Sequence, residues 1–251
     1  MRPSIPPTIL GTTVHPTTYH DATALILYWV ARAESRSVCL ANAHMVMEAY
    51  DDPAYQAAVN DADLVAPDGM PLVWILKLLG HGLQDRVYGP TLTLRVLEAA
   101  AMRDVPVGFY GASSDVLTAM ITKFRRRLPG LDIVYACSPP FRDQTRDEDE
   151  ADVRDIKASG ARILFVGLGC PKQERWMHQH KGRVRAVMLG VGAAFDFHAG
   201  AIPQAPSWMQ DRGLEWLFRF CIEPRRLWKR YLRHNPRFAL FSTLQLLRLR
   251  K

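Results

Sequence analysis

Two stretches decide the fold class. The first is Ile163-Leu164-Phe165-Val166-Gly167-Leu168-Gly169-Cys170-Pro171-Lys172-Gln173-Glu174; the second is Val184-Arg185-Ala186-Val187-Met188-Leu189-Gly190-Val191-Gly192-Ala193-Ala194-Phe195-Asp196. Each opens on a short apolar run and passes through a Gly-x-Gly turn. Between them, residues 173–180 read as a helix. An apolar strand is one covered on both faces, and strands alternating with helices make a parallel sheet.

The same alternation extends outward. Residues 37–41, 64–66, 105–110 and 131–135 read as further short strands. Helices are expected over residues 21–30 with Asp21 as cap, from Val46 on to Val59, after Gly69, over residues 113–127 and over the exposed acidic residues 147–158. The expected class is α/β, a Rossmann-like, mostly parallel sheet with helices on both faces. After the loop at residues 201–207 no further sheet strand is evident. Residues 214–233 alternate aromatic and basic side chains at helical spacing, and Pro224 and Pro236 are expected to divide them into short helices. The expected organisation is a catalytic domain over residues 1–211 and a helical appendage over residues 212–251.

The chain has 251 residues, 48% of them hydrophobic, enough to bury a full core. Its net charge is +7. Residues 212–251 hold 11 Lys/Arg and 2 Asp/Glu, a net of +9, so the rest carries −2. A near-neutral body with a basic tail points to an anionic partner, either nucleic acid or an acidic membrane. The four cysteines lack Cys-x-x-Cys spacing and suit a reducing compartment. The proline-rich start lacks an apolar signal core, and no stretch reaches the ~18 apolar residues of a spanning helix. The expected location is therefore neither exported nor membrane-spanning.

Open parallel sheets bind ligands beyond the carboxyl ends of their strands. There the chain places Asn42, Pro67-Asp68-Gly69, Gly111-Ala112-Ser113, Gly167 with Gly169, and Gly190 with Gly192. Glycine lets a backbone approach phosphate closely, and helix N-termini offer free N–H groups. Each motif also has a plain reading. Pro-Asp-Gly is a common turn, Asp68 and Asn42 could cap helices, and Lys172-Gln173-Glu174 could be a helix start with Pro171 at its first position. Arg86 alone resembles any surface arginine. The eight histidines show no metal-ligand pairing, and His178 and His180 are expected at the surface. Asp61-Ala62-Asp63 has the Asp-x-Asp spacing of a metal site but precedes its strand, on the wrong edge. No Gly-x-Gly-x-x-Gly fingerprint follows the first strand, which argues against a nicotinamide cofactor.

Together, Pro67-Asp68-Gly69, residues 167–174, residues 190–196 and Gly213-Leu214-Glu215-Trp216-Leu217-Phe218-Arg219 resemble the WecG/TagA/CpsF glycosyltransferases, over residues 37–235 with motif order and spacing kept. The resemblance implies an inverting transfer without a required metal or other cofactor, from a UDP-sugar to a polyprenyl-diphosphate-linked saccharide acceptor. It places the proposed base on Asp68, further catalytic positions on Asn42, Arg86 and Gln173, and donor contacts on the glycine turns and Asp196. It also implies a C-terminal membrane appendage whose Arg219 and Arg226 reach the UDP diphosphate, so the enzyme would work peripherally at the cytoplasmic face of an anionic membrane. Relatives often carry Thr-x-Asn at the first strand, and here Leu40 stands at the threonine position. A homo-oligomer is compatible with these features, and nucleic acid is not expected as a partner. Two alternatives remain from the residues alone: a nucleic-acid-binding module using the basic tail, and a nucleotide-sugar epimerase or dehydrogenase.

Overall fold

The computed structural model describes residues 6–82 and 84–247. The first five and last four residues, with part of the proline-rich start and of the basic tail, lie outside the described residues. A two-stranded antiparallel hairpin, β1 (Thr8–Ile9) and β2 (Thr12–Thr13), opens the chain. Then follow α1 (Tyr19–Ala31), β3 (Arg36–Ala41), α2 (Ala43–Asp51), α3 (Pro53–Asn60), β4 (Leu64–Pro67), α4 (Met70–Leu78) and α5 (Gly89–Ala101). The second half runs β5 (Val107–Gly111), α6 (Ser114–Arg127), β6 (Ile133–Cys137), α7 (Arg146–Ser159), β7 (Ile163–Gly167), α8 (Lys172–His180), β8 (Val187–Gly190) and α9 (Ala194–Ala199). Helices α10 (Ser207–Asp211), α11 (Glu215–Ile222) and α12 (Pro224–Leu246) complete it.

Six strands form one parallel sheet in the order β4-β3-β8-β7-β5-β6. Strand side chains alternate between faces, and this period of two divides the core. Cys39 and Ala41 of β3, Tyr110 of β5, Leu164 and Val166 of β7 and Met188 of β8 face a layer built with α2, α3, α4, α7, α8 and α12. Val38, Leu40, Phe109, Phe165 and Leu189 face the opposite layer, built with α1, α5, α6 and α9. The expected doubly covered α/β sheet is observed.

Local details differ from expectation for physical reasons. Helix α1 starts earlier, because Thr18 caps it by accepting from the Asp21 N–H, and Asp21 lies in the first turn. The single helix expected on to Val59 is two, because Pro53 cannot continue α2 and Asp52 caps α3. Helix α5 was not anticipated, although Pro90 in its first turn and buried Leu92, Val96, Leu97 and Ala100 mark it. The strands expected at 131–135 and 184–189 are displaced to β6 and β8. Acidic α7 is not wholly exposed, since Val153 and Ile156 are buried. Pro171 is the cap of α8 rather than its first residue. His180 is buried and stacks on Trp176 with ring centroids 4.0 Å apart, whereas His178 is exposed.

In the tail, α12 passes through Pro236 without ending. Tertiary contacts hold the helix where its own hydrogen bonding is weakened. Leu227, His234, Phe238 and Ser242 are buried along one stripe. Arg237 and Arg233 pair with Asp51 of α2 at 2.6 and 3.2 Å, and Gln245 bonds the Leu10 N–H at 2.9 Å. No helix of the described residues is long and apolar enough to cross a membrane.

Candidate active site

The strand register lines up the carboxyl ends. Pro67 pairs with Ala41, Cys39 with Gly190, Gly190 with Val166, and Gly167 with Gly111. Residues just after these strands therefore share one sheet edge. Asp68, Asn42, Gly192, Gly169 and Ala112 all lie on it.

Two glycines there have steric reasons. Gly111 has φ +122°, and a Cβ would fall 2.5 Å from the Gly167 carbonyl carbon. A Cβ on Gly167 would fall 2.5 Å from the Phe195 ring. The turns after β5 and β7 thus pack backbone to backbone, and the Ala112 N–H donates to the Gly167 oxygen at 3.1 Å. Ser113 is the N-cap of α6, accepting from the Val116 N–H. Asn42 caps α2 by accepting from the Met45 N–H at 3.1 Å, and its Cβ lies against Gly69.

Gln173 is buried, and both ends of its amide are engaged. Its Oε1 accepts from the Gly169 N–H at 3.1 Å, and its Nε2 donates to Glu174 at 2.8 Å. It also lies against Gly190 and Gly192. Gln173 therefore ties the turn after β7 to the turn after β8. Glu174 is buried too, and Tyr55 donates to it at 2.9 Å. Burial raises its carboxyl above the ordinary range.

Asp68, which follows the outermost strand β4, and Arg86 lie at one end of this edge. The Arg86 guanidinium lies 3.7 Å from Asp68 Oδ1, donates through Nε to the Asp68 carbonyl, and reaches the Gln210 carbonyl at 3.4 Å. Its Nη2 pairs with Glu215 of α11, and it sits 4.5 Å from the Tyr88 ring centroid. Asp68 Oδ1 is buried with no hydrogen-bond partner among the described residues. Burial pushes the Asp68 carboxyl up to about 7; Arg86 opposes the shift and Glu215 adds to it.

Arg219 and Arg226 approach from the tail. Both act electrostatically on Asp196 of α9, whose carboxyl is raised by burial and lowered by the two arginines. Glu223 lies 3.4 Å from Arg219 and 2.6 Å from Arg226. Arg219 is mostly buried over the Phe197 ring, with its Nε unpartnered, while Arg226 is exposed. The Asp-x-Asp stretch is spent elsewhere. Asp63 pairs with Arg36 at 2.6 Å and Lys181 at 3.1 Å, at the amino end of the sheet.

Glu215, Tyr88, Tyr55 and Glu223 had no role assigned from sequence. Glu215 sits inside the quoted Gly-Leu-Glu-Trp segment, so a signal for it was present.

The model of the glycosyl transferase WecG/TagA/CpsF family matches residues 7–251. The chain belongs to the WecG/TagA/CpsF glycosyltransferase family. It is similar to the N-acetylglucosaminyldiphosphoundecaprenol N-acetyl-beta-D-mannosaminyltransferase of Bacillus spizizenii, with 34% identity over 78% of this chain and 74% of the relative. The protein of the same name from Bacillus subtilis is 30% identical over 79% of this chain and 75% of its own length. The chain is thus a glycosyltransferase, and the nucleic-acid and epimerase or dehydrogenase alternatives fall away.

Proposed function

We propose that the enzyme moves an N-acetylmannosamine-type sugar from a UDP donor onto a polyprenyl-diphosphate-linked N-acetylglucosamine, with inversion at the anomeric carbon. The sugar and acceptor are those in the printed names of the two Bacillus relatives. The observation that carries the reading is the buried Oδ1 of Asp68, ion-paired with Arg86 at 3.7 Å but without a hydrogen-bond partner among the described residues.

In this reading an acceptor hydroxyl oxygen attacks the anomeric carbon while the bond to UDP breaks. The electron pair of that bond leaves on the diphosphate. Asp68 takes the hydroxyl proton. A carboxylate of ordinary pKa is a weak base, but one raised to about 7 is matched to proton transfer near neutral pH. Arg86, Arg219 and Arg226, together with N–H groups of the glycine turns, supply donors for the charge on the leaving diphosphate. Asn42 and Asp196 flank the donor, and Gln173 acts as a positioning residue by fixing the turns at Gly169 and Gly192.

Trp216, Leu217, Trp228 and Leu232 are exposed, and Arg225, Arg226, Lys229 and Arg233 lie beside them. An aromatic and basic helical face of this kind suits the headgroup region of an anionic membrane, where a lipid-linked acceptor resides. The buried stripe of α12 holds the appendage to the body, so the exposed face is left for the membrane.

The test is a panel of UDP-sugars with a short-chain polyprenyl-diphosphate N-acetylglucosamine acceptor, read as UDP release and product mass. Acceptor-dependent release from UDP-N-acetylmannosamine is expected. Release from another UDP-sugar alone would overturn the donor assignment.

A further inference from the structure

The sequence shows no metal-ligand pairing among its histidines, yet the fold assembles one. His44 and Glu48 sit four residues apart on α2 and so share a helix face. His234, far away in sequence on α12, is brought against them. His44 Nδ1 lies 3.7 Å from Glu48 Oε1, and His234 Nε2 lies 3.2 Å from the same oxygen. One ligand atom from each residue falls within a cluster spanning no more than 4.8 Å. The imidazole centroids are 5.0 Å apart.

We propose that His44, Glu48 and His234 form a binding site for a zinc-class divalent ion that clamps α12 onto α2. The donor set of two imidazoles and one carboxylate suits zinc, cobalt or nickel better than magnesium or calcium, which favour oxygen. Bonds of about 2.0–2.1 Å to tetrahedral ligands put neighbouring ligand atoms about 3.4 Å apart, close to the two His–Glu spacings of 3.7 and 3.2 Å. A hydrogen-bonded triad explains less. Glu48 can accept from His234 Nε2, but His44 Nδ1 is buried and has no hydrogen-bond partner among the described residues. An ion gives that lone pair a use. Burial lowers both imidazoles from their ordinary pKa, which favours the neutral form that ligates. The His44 side chain remains 17% exposed, which leaves a route for the ion and room for water as a fourth ligand.

Neighbouring cations oppose binding: Arg233 and Arg237 act electrostatically on His234, where Asp51 offsets them. Arg230 on α12 acts electrostatically on His44, and its charge disfavours a cation. Glu48 supplies the compensating carboxylate. This opposition gives the site a signature that a purely structural cluster lacks, since removing the Arg230 charge should tighten metal binding.

The clamp would join the appendage to the helix whose cap, Asn42, lies on the catalytic edge. It uses neither Asp68 nor Arg86, so its test needs no sugar transfer. The full chain is stripped with chelator and titrated with Zn2+ by calorimetry, with Co2+ as the spectroscopic probe. The expected result is one ion per chain and a visible cobalt spectrum free of thiolate charge transfer. Thermal midpoints should rise by roughly 5–10 °C at a hundredfold excess over Kd. Binding should fall at least about tenfold in Glu48→Gln and His44→Ala, and tighten in Arg230→Gln. Glu48→Gln is nearly isosteric, so its loss of binding is read on a folded protein, checked by circular dichroism. Absence of stoichiometric binding to the wild-type chain, unchanged binding in both Glu48→Gln and His44→Ala, or a cobalt–thiolate band would each overturn the proposal.

Discussion

Arg86 pairs with Glu215, joining the loop between α4 and α5 to helix α11 of the C-terminal segment. The same guanidinium stands 3.7 Å from Asp68 Oδ1. The appendage is therefore wired to the proposed base through one side chain. Both partners are mostly buried, at 15% and 13% side-chain exposure, so the pair escapes much of the screening that weakens surface ion pairs.

A double-mutant cycle should expose this wiring. Arg86→Ala removes a donor from the proposed diphosphate site and should lower kcat by about 10²–10³-fold. Glu215→Gln should cost less, because it loosens Arg86 without deleting it. The coupling between them, measured as transition-state free energy, is expected at about 1–3 kcal/mol. Additive effects would mean that Glu215 does not position Arg86.

The raised carboxyl of Asp68 sets a pH signature. As a base it must be ionised, so kcat/KM should rise with pH and level off above about 7. For stability the sign is opposite. A carboxyl shifted from 3.8 up to about 7 favours its protonated form in the fold. Its contribution to stability is present below about 4 and is lost as pH rises through about 7. Asp68→Asn should therefore gain stability over the wild type across that window, by at most about 4 kcal/mol at 1.36 kcal/mol per unit. Thermal melts at pH 4, 6 and 8 read this; a difference that shrinks with rising pH would contradict it.

Gln173→Ala should act first on stability. It leaves the buried Glu174 one partner short and frees the Gly169 N–H, at about 1–3 kcal/mol. For a chain of this length that is roughly 2–12 °C in Tm. The donor KM should rise as the two glycine turns loosen, while the kcat pH profile keeps its midpoint. A variant with normal Tm and a shifted profile would place Gln173 in the proton chemistry instead.

What could be read from sequence followed local rules. Asp68, Asn42 and the glycine turns were legible because each follows an apolar strand, and carboxyl ends in a parallel sheet meet on one edge. Glu215 stood inside a legible motif, but its pairing with Arg86 was not legible, because the two lie 129 residues apart and no local pattern encodes that contact. His234 was hidden in the same way, since it lies far along the chain from Glu48 and on another helix. Helix α5 went unread, although Pro90 in its first turn is a helix-start signal. Pro236 misled because packing along α12 outweighed the breaker rule.

Magnesium and manganese should not drive the reaction. If arginines and backbone donors hold the diphosphate, adding either ion to chelator-treated enzyme leaves the transfer rate unchanged. Zn2+ is left out of this titration because of the separate cluster on α2 and α12. Strict recovery of activity by Mg2+ or Mn2+ would contradict the metal-independent chemistry.

The membrane face can be tested without disturbing the fold. Truncation before Arg212 would strip buried Leu227 and Phe238 from the core, so point changes are preferable. Trp228→Ser combined with Leu232→Ser alters two exposed side chains, at 45% and 68% exposure. Flotation with anionic liposomes should fall, and the remainder should weaken with salt, since each basic residue contributes about 1 kcal/mol near such a surface. Undiminished flotation would remove this face from the account.

Asp68 is the proposed base of a direct sugar transfer. The most direct measurement compares Asp68→Asn with wild type for UDP binding and for single-turnover transfer to the lipid-linked acceptor. Unchanged UDP affinity and a loss of about 10²–10⁴-fold in transfer are expected. Near-normal transfer by Asp68→Asn would contradict this role.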